Sequence, residues 1–327
     1  MRAPSFLFLA TLISVLAHAA DTPSPALLVL NKEEATLAIV DPVSFAVVAK
    51  VPTGDDPHEV ATSADGKWAF VSNYGRGGRS ISVIDLVAQK ERRVDVGQLS
   101  GVHGIAAMDG KAVFASETAR LVATYDPATG KIERLVSTGQ AMTHMVTMSR
   151  DNSKLFTTNM ISGTVTIAER GERGSQTAWT QTAVPVGEGP EGFDLTPDGK
   201  ELWTATYGDG KMAIVDVASK KLKQTFATNT RRANRVKITP DGKLALVSDM
   251  GGGELVIFDV ASREEVKRMR LGSSPEGILI EPSGQRAFVA VTGDDEVAVI
   301  DLKALSVTKR FSPGKGTGPD GMAWAKR

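Results

Sequence analysis

Three histidines carry the first chemical signal in this chain. The 327 residues contain four histidines and no cysteine, and His58, His103 and His144 each open a short apolar run. When the comparable runs are aligned, the same position holds Glu191, Asn234, Glu276 and Asp320. Imidazoles gathered beside carboxylates suit a borderline divalent ion, so zinc, manganese or iron is the expected cofactor. Such an ion lowers the pKa of a bound water towards ~7 and supplies a nucleophile at neutral pH. In that reading His58, His103 and His144 are the ligands, and Glu191 and Glu276 move the proton. The lack of cysteine removes thiol nucleophiles, thiolate metal sites, covalent haem attachment and disulfides.

A second group of residues could hold a substrate. Arg76 and Arg79 lie in the glycine-rich stretch YGRGGRS, and a guanidinium clamps a carboxylate or phosphate with two parallel bonds. Arg235 stands where the aligned copies have Gly192, Gly277 and Gly321, so its side chain is expected to reach the same ring. With Tyr74, Tyr207, Asn234 and Asp320, these arginines form the expected binding set for a small anionic organic ligand. Overall charge is balanced, 38 basic against 38 acidic residues. That balance argues against a nucleic-acid partner, whose binding needs clustered cations.

The elements that position these residues follow from a repeat. A unit of the form P-x-G, T/S-x-D-G-K, strand, turn, strand ending in Asp recurs along the chain. Clear copies begin at Pro57, Pro190 and Pro275, and degenerate ones at Val102, Thr143 and Ala233. Each copy parses into four short strands, with Asp-Gly making the first tight turn. Four antiparallel strands per repeat are the signature of a propeller blade. First strands are expected to start at 58, 103, 144, 191, 234, 276 and 320, which predicts an all-β, seven-bladed β-propeller. The last blade takes its inner strand from the C-terminus and its other three from the N-terminus, closing the ring. Trp68, Trp203 and Phe288 are expected in the core between blades, and the Asp ending each third strand is expected to fix the next turn.

This repeat resembles the bacterial YVTN-type β-propeller repeats, carried here by Phe70-Val71-Ser72-Asn73 and Phe156-Thr157-Thr158-Asn159. More distantly the chain is similar to the lactonase and streptogramin-lyase propellers, which place His and Glu around a divalent ion at one channel mouth. The resemblance implies hydrolysis of a lactone or ester, or a lyase-type elimination. Two alternatives stand beside it: a non-catalytic ligand- or protein-binding propeller, and a periplasmic handler of haem d1 or quinone.

The N-terminal twenty residues read as a signal peptide, with Arg2, an apolar run from Phe6 to Leu16 and Ala17-His18-Ala19 as a cleavage site. The expected mature domain is residues 21–327, periplasmic or secreted, without a membrane span and monomeric.

Overall fold

Alternating apolar runs and Asp-Gly turns convert each repeat into one antiparallel sheet. The computed structural model describes residues 21–171 and 179–327. The expected signal peptide, residues 1–20, lies outside the described residues. Seven sheets of four strands are formed. We number the blades by their inner strands: Pro57–Thr62, Val102–Met108, Thr143–Met148, Pro190–Leu195, Ala233–Ile238, Pro275–Ile280 and Pro319–Ala325. Each inner strand lies beside those of the two adjacent blades, and blade seven returns to blade one.

Blade seven is built from both chain ends. Its inner strand, Pro319–Ala325, pairs with Ala26–Asn31 through partners such as Val29 and Met322. Thr36–Val40 and Val47–Pro52 complete it. Pairing of the two ends leaves no open seam, so no inner edge is exposed to another chain.

Local chemistry sets the turns. In blade one Asp65 Oδ1 accepts from Ser63 Oγ at 2.6 Å and from the Lys67 amide at 3.1 Å, with Gly66 at φ 65°. The carboxylates ending the third strands behave as expected, illustrated by Asp41, which caps the amides of Val43 and Ser44 at 3.0 and 2.7 Å. Between blades the core is aromatic and aliphatic. Phe70, Phe156, Trp203 and Phe288 occupy one register, Phe114 stands one residue further along its strand, and all five are essentially buried. Trp68 does not share that register: it is half-buried, and Phe70 two residues later takes the core place. Each such burial contributes about 2 kcal/mol.

One backbone irregularity positions the site. In blade one Pro57 pairs with Asn73, but Val60 pairs with Val71, so one extra residue is inserted at the start of the inner strand. The same shift recurs in the other six blades. Bulges re-aim side chains, and this one governs the two residues after the strand start: the ring position and its successor. At the successor position blades one, three and five carry Glu59, Met145 and Arg235, whereas the other four carry glycine. A β-carbon on Gly321 would lie 2.2 Å from the His58 carbonyl oxygen, and one on Gly192 2.5 Å from that of Asn234. Glycine lets the inner strands close up, and the few remaining side chains fill the channel.

Candidate active site

The bulged positions of three consecutive blades bring the histidines together. His103 and His144 stack with ring centroids 3.7 Å apart, and His58 lies 5.0 Å from His103. Tyr74, from the loop after the second strand of blade one, packs 4.9 Å from both His58 and His103. Glu117, from the corresponding loop of blade two, ties the group together. His144 Nδ1 donates to Glu117 Oε1 at 2.6 Å, and the Tyr74 hydroxyl donates to Glu117 Oε2 at 2.8 Å. This contact orients the His144 ring and leaves Nε2, which has no partner, directed elsewhere. His58 Nδ1 donates to the Asp56 carbonyl at 3.0 Å.

Burial, reinforced by His144, His58 and the cations Arg235 and Lys32, holds His103 well below its usual 6.5, so this imidazole is neutral at pH 7. Burial and the nearby Glu117 push the Tyr74 phenol up, keeping it a hydrogen-bond donor.

The opposite arc of the ring is ionic. Glu191 Oε1 accepts from Asn234 Nδ2 at 2.5 Å and from Arg235 Nη1 at 3.4 Å. Arg235 Nη2 reaches across the channel and donates to Glu59. Lys32, from the N-terminal part of blade seven, pairs with Glu276 at 2.6 Å and with Asp320 at 3.4 Å. Burial and the Asp320 charge raise the Glu276 carboxyl, although Lys32 opposes them. Burial works against the Lys32 charge, yet Asp320 and Glu276 outweigh it and hold the ammonium firmly protonated.

Among the described residues, eight buried side-chain polar atoms have no hydrogen-bond partner, and seven of them belong to this ring or its successor position. They are His103 Nδ1, His144 Nε2, Glu191 Oε2, Asn234 Oδ1, Arg235 Nε and both oxygens of Asp320. Buried polar atoms are ordinarily satisfied, and such a concentration marks a place made for water or ligand.

Most of the sequence-predicted set therefore converges: His58, His103, His144, Glu191, Asn234, Arg235, Glu276, Asp320 and Tyr74. Three residues do not. Arg79 is exposed, and the Arg76 side chain is 91% exposed, with its Nε 3.3 Å from Asp55. The tight turn with Arg76 at φ 49° and Gly77 at φ 89° directs this loop outward. Tyr207 is exposed and lies beneath the Arg232 guanidinium. The three imidazoles do not assemble as a ligand set. Among the described residues no group of three or more His, Asp or Glu side chains could hold a metal ion. His144 Nδ1 is engaged by Glu117, and His103 and His144 meet face to face rather than nitrogen to nitrogen. Side-chain positions as they stand do not fit the expected metal, so no step is routed through one.

Lys32 and Glu59 join the site without having been singled out, whereas Glu117 lies in a loop that the repeat already places at this mouth. Glu59 had a signal: like Arg235 it stands where four blades have glycine, and the two charges are opposite. Lys32 offered none, because it lies almost the whole chain length from Glu276 and Asp320.

These features define a seven-bladed propeller whose polar mouth holds an oriented imidazole. The chain belongs to the lactonase, 7-bladed beta-propeller family, whose model matches residues 115–325. That is the more distant of the two resemblances drawn from the repeats. The fold is similar to the periplasmic gluconolactonase PpgL of Pseudomonas aeruginosa, at TM-score 0.75 and 18% identity, covering 93% of this chain and 99% of that one. It is also similar to a putative 6-phosphogluconolactonase from Bacteroides uniformis, at TM-score 0.75 and 15% identity, covering 92% and 99%. The dihydro-heme d1 dehydrogenase NirN shares the fold at TM-score 0.66 and 14% identity, covering 91% of this chain and 74% of that one. At these identities the likeness concerns the fold. No curated protein matches the chain in sequence. No helix among the described residues is long and apolar enough to cross a membrane.

Proposed function

We propose that this protein hydrolyses a lactone at the histidine-lined mouth. Membership of the lactonase family supports the reaction class. The observation that carries the site is the Glu117–His144 pair, with His144 Nε2 buried and unpartnered. A carboxylate that orients one imidazole nitrogen readies the other as a general base, the logic of hydrolytic dyads and triads. His144 Nε2 takes a proton from water, and the resulting hydroxide attacks the lactone carbonyl carbon. Collapse breaks the bond to the ring oxygen, which receives the proton from the imidazolium, giving the open hydroxy acid. Arg235 Nε–H, the unpartnered buried donor of the ring, is assigned to the carbonyl oxygen as charge develops. Glu191 and Glu276 then serve as anchors for Arg235 and Lys32 rather than as the groups that move the proton. Neutral His103 stacks on His144 and limits its rotation.

An exported location is supported by the charged, apolar and small-residue pattern of residues 1–20 and by likeness to a periplasmic relative. The test is hydrolysis of an aldonolactone by the wild-type protein, followed by His144→Ala. Ring opening that falls to background in the variant is the expected result. Undiminished activity in His144→Ala overturns the base assignment. Activity that requires an added divalent metal and disappears in His58→Ala replaces this reading with a metal-centred one.

A further inference from the structure

The unpartnered atoms at the mouth also define the kind of lactone. From their chemistry and the local charge we infer that the site takes an uncharged, polyhydroxylated lactone and rejects one bearing a phosphate or second carboxylate. This rests on the lactonase reading and departs from the anionic ligand expected from the sequence.

The first observation is the balance of donors and acceptors. Glu191 Oε2, Asn234 Oδ1 and both Asp320 oxygens are buried without hydrogen bonds, and carboxylate and amide oxygens only accept. Asp320 Oδ2 has only the Lys32 ammonium, at 3.4 Å. The Asn234 amide cannot turn to offer its nitrogen, because Nδ2 is already committed to Glu191 Oε1 at 2.5 Å. A ligand satisfying these atoms must bring hydroxyl hydrogens. Fully ionised phosphate brings acceptors alone, and with the one free guanidinium donor, Arg235 Nε–H, taken by the lactone carbonyl its oxygens would face these acceptors.

The second observation is charge. The mouth holds two cations, Lys32 and Arg235, against the five carboxylates of Glu59, Glu117, Glu191, Glu276 and Asp320. Even with Glu276 protonated, as its raised pKa favours, carboxylates outnumber cations. Neither cation has charge to spare for a second ligand anion, since the one free donor, Arg235 Nε–H, is assigned to the lactone carbonyl. Lys32 lies between Glu276 and Asp320, while Arg235 lies between Glu191 and Glu59. The arginines with exposed guanidinium groups, Arg76 and Arg79, lie on the outer loop. Placing an anion among unneutralised carboxylates in a poorly solvated site is a device for rejection.

The experiment compares three lactones of one ring size with the wild-type protein: a polyhydroxylated aldonolactone, its terminal phosphate ester, and a lactone lacking hydroxyls. The uncharged polyol is expected to give a kcat/KM about 100-fold or more above the phosphate ester, with the hydroxyl-free ring also poorer. Equal or better turnover of the phosphate ester, or of the hydroxyl-free ring, overturns the inference. Hydrolysis of none of the three overturns the lactonase reading instead. In that event calorimetric binding of the matching lactams decides the selectivity by itself: preference for the uncharged polyol sustains it, and absence of that preference sinks it. Glu59→Gln, which releases one hand of Arg235, should narrow the discrimination against the phosphate ester. An unchanged ratio in a folded variant counts against Arg235 engagement as its basis.

Discussion

Glu59 and Arg235 are joined across the central channel, from blades one and five, which lie on opposite sides of the ring. Both replace a residue that is glycine in four other blades. Their side chains are 16% and 5% exposed, so this ion pair is a floor beneath the mouth rather than a surface contact. The pair itself lines a channel cavity of about 450 Å3, together with residues such as Met145, Phe193 and Ile278.

Removing one member of this pair should be costly. Arg235→Met leaves Glu59 and Glu191 buried without their cation and should destabilise the protein by about 3–5 kcal/mol in urea unfolding. Glu59→Gln combined with Arg235→Met should cost clearly less than the two single losses added together. Additive losses would show that the charges do not interact.

Glu117 acts on the reaction through His144. Glu117→Gln should lower kcat on the preferred lactone by about 10²- to 10⁴-fold. KM should hardly change, and Glu117→Asp should restore part of the rate. A rise in KM with kcat intact would reassign Glu117 to substrate binding.

His103 makes stability depend on pH. Its folded pKa is depressed below 6.5, chiefly by burial, so below 6.5 the unfolded chain binds a proton that the folded chain refuses. Its contribution to stability is therefore present above pH 6.5 and lost as the pH falls, by at most about 1.4 kcal/mol per unit. Unfolding of wild type and His103→Gln between pH 7.5 and 5.5 isolates this share. The variant should show the shallower decline, and parallel declines would exclude it.

Gly321 permits the closest approach between blades seven and one. A β-carbon there would stand 2.2 Å from the His58 carbonyl oxygen, so backbone must move. Gly321→Val should cost about 2–4 kcal/mol and displace His58. Thermal melting and the imidazole resonances of His58 report both effects; an unaltered melt would mean that the ring yields freely.

Arg76 and Arg79 should matter little. Joint replacement by alanine should leave kcat/KM within about threefold, because both side chains are exposed. A larger loss would bring the outer loop over the mouth during turnover.

The sequence made the blades legible because each repeat carries its own turn chemistry and apolar alternation. The expected first-strand starts fall within one residue of those observed. The ring position was also visible, since His58, His103, His144 and their counterparts share a register. What neighbours would do to those residues was not. Pairing of His144 with Glu117 depends on a loop reaching into the next blade, and the stack of His103 on His144 depends on the bulge. Trp68 misled because it precedes, by two residues, the place where Phe70 enters the core. The arginines of the YGRGGRS loop misled because composition gives a residue's chemistry, whereas the positive φ of Arg76 and Gly77 decides its direction.

The shared blade sets a schedule for this molecule. Lys32 belongs to the first strand pair to be synthesised and Asp320 to the last strand, yet they meet at 3.4 Å in the same mouth. Through nearly all of synthesis the N-terminal strands wait without their inner partner, and the carboxylate that receives Lys32 does not yet exist. A nascent chain can mature blades one to six in order, but it cannot finish the ring or the mouth. Competence arrives in a single late event, when the final strand docks between Ala26–Asn31 and the inner strands of blades six and one. A chain cut short before Pro319 is thus left without its clasp and without the carboxylate of Asp320 that faces Lys32.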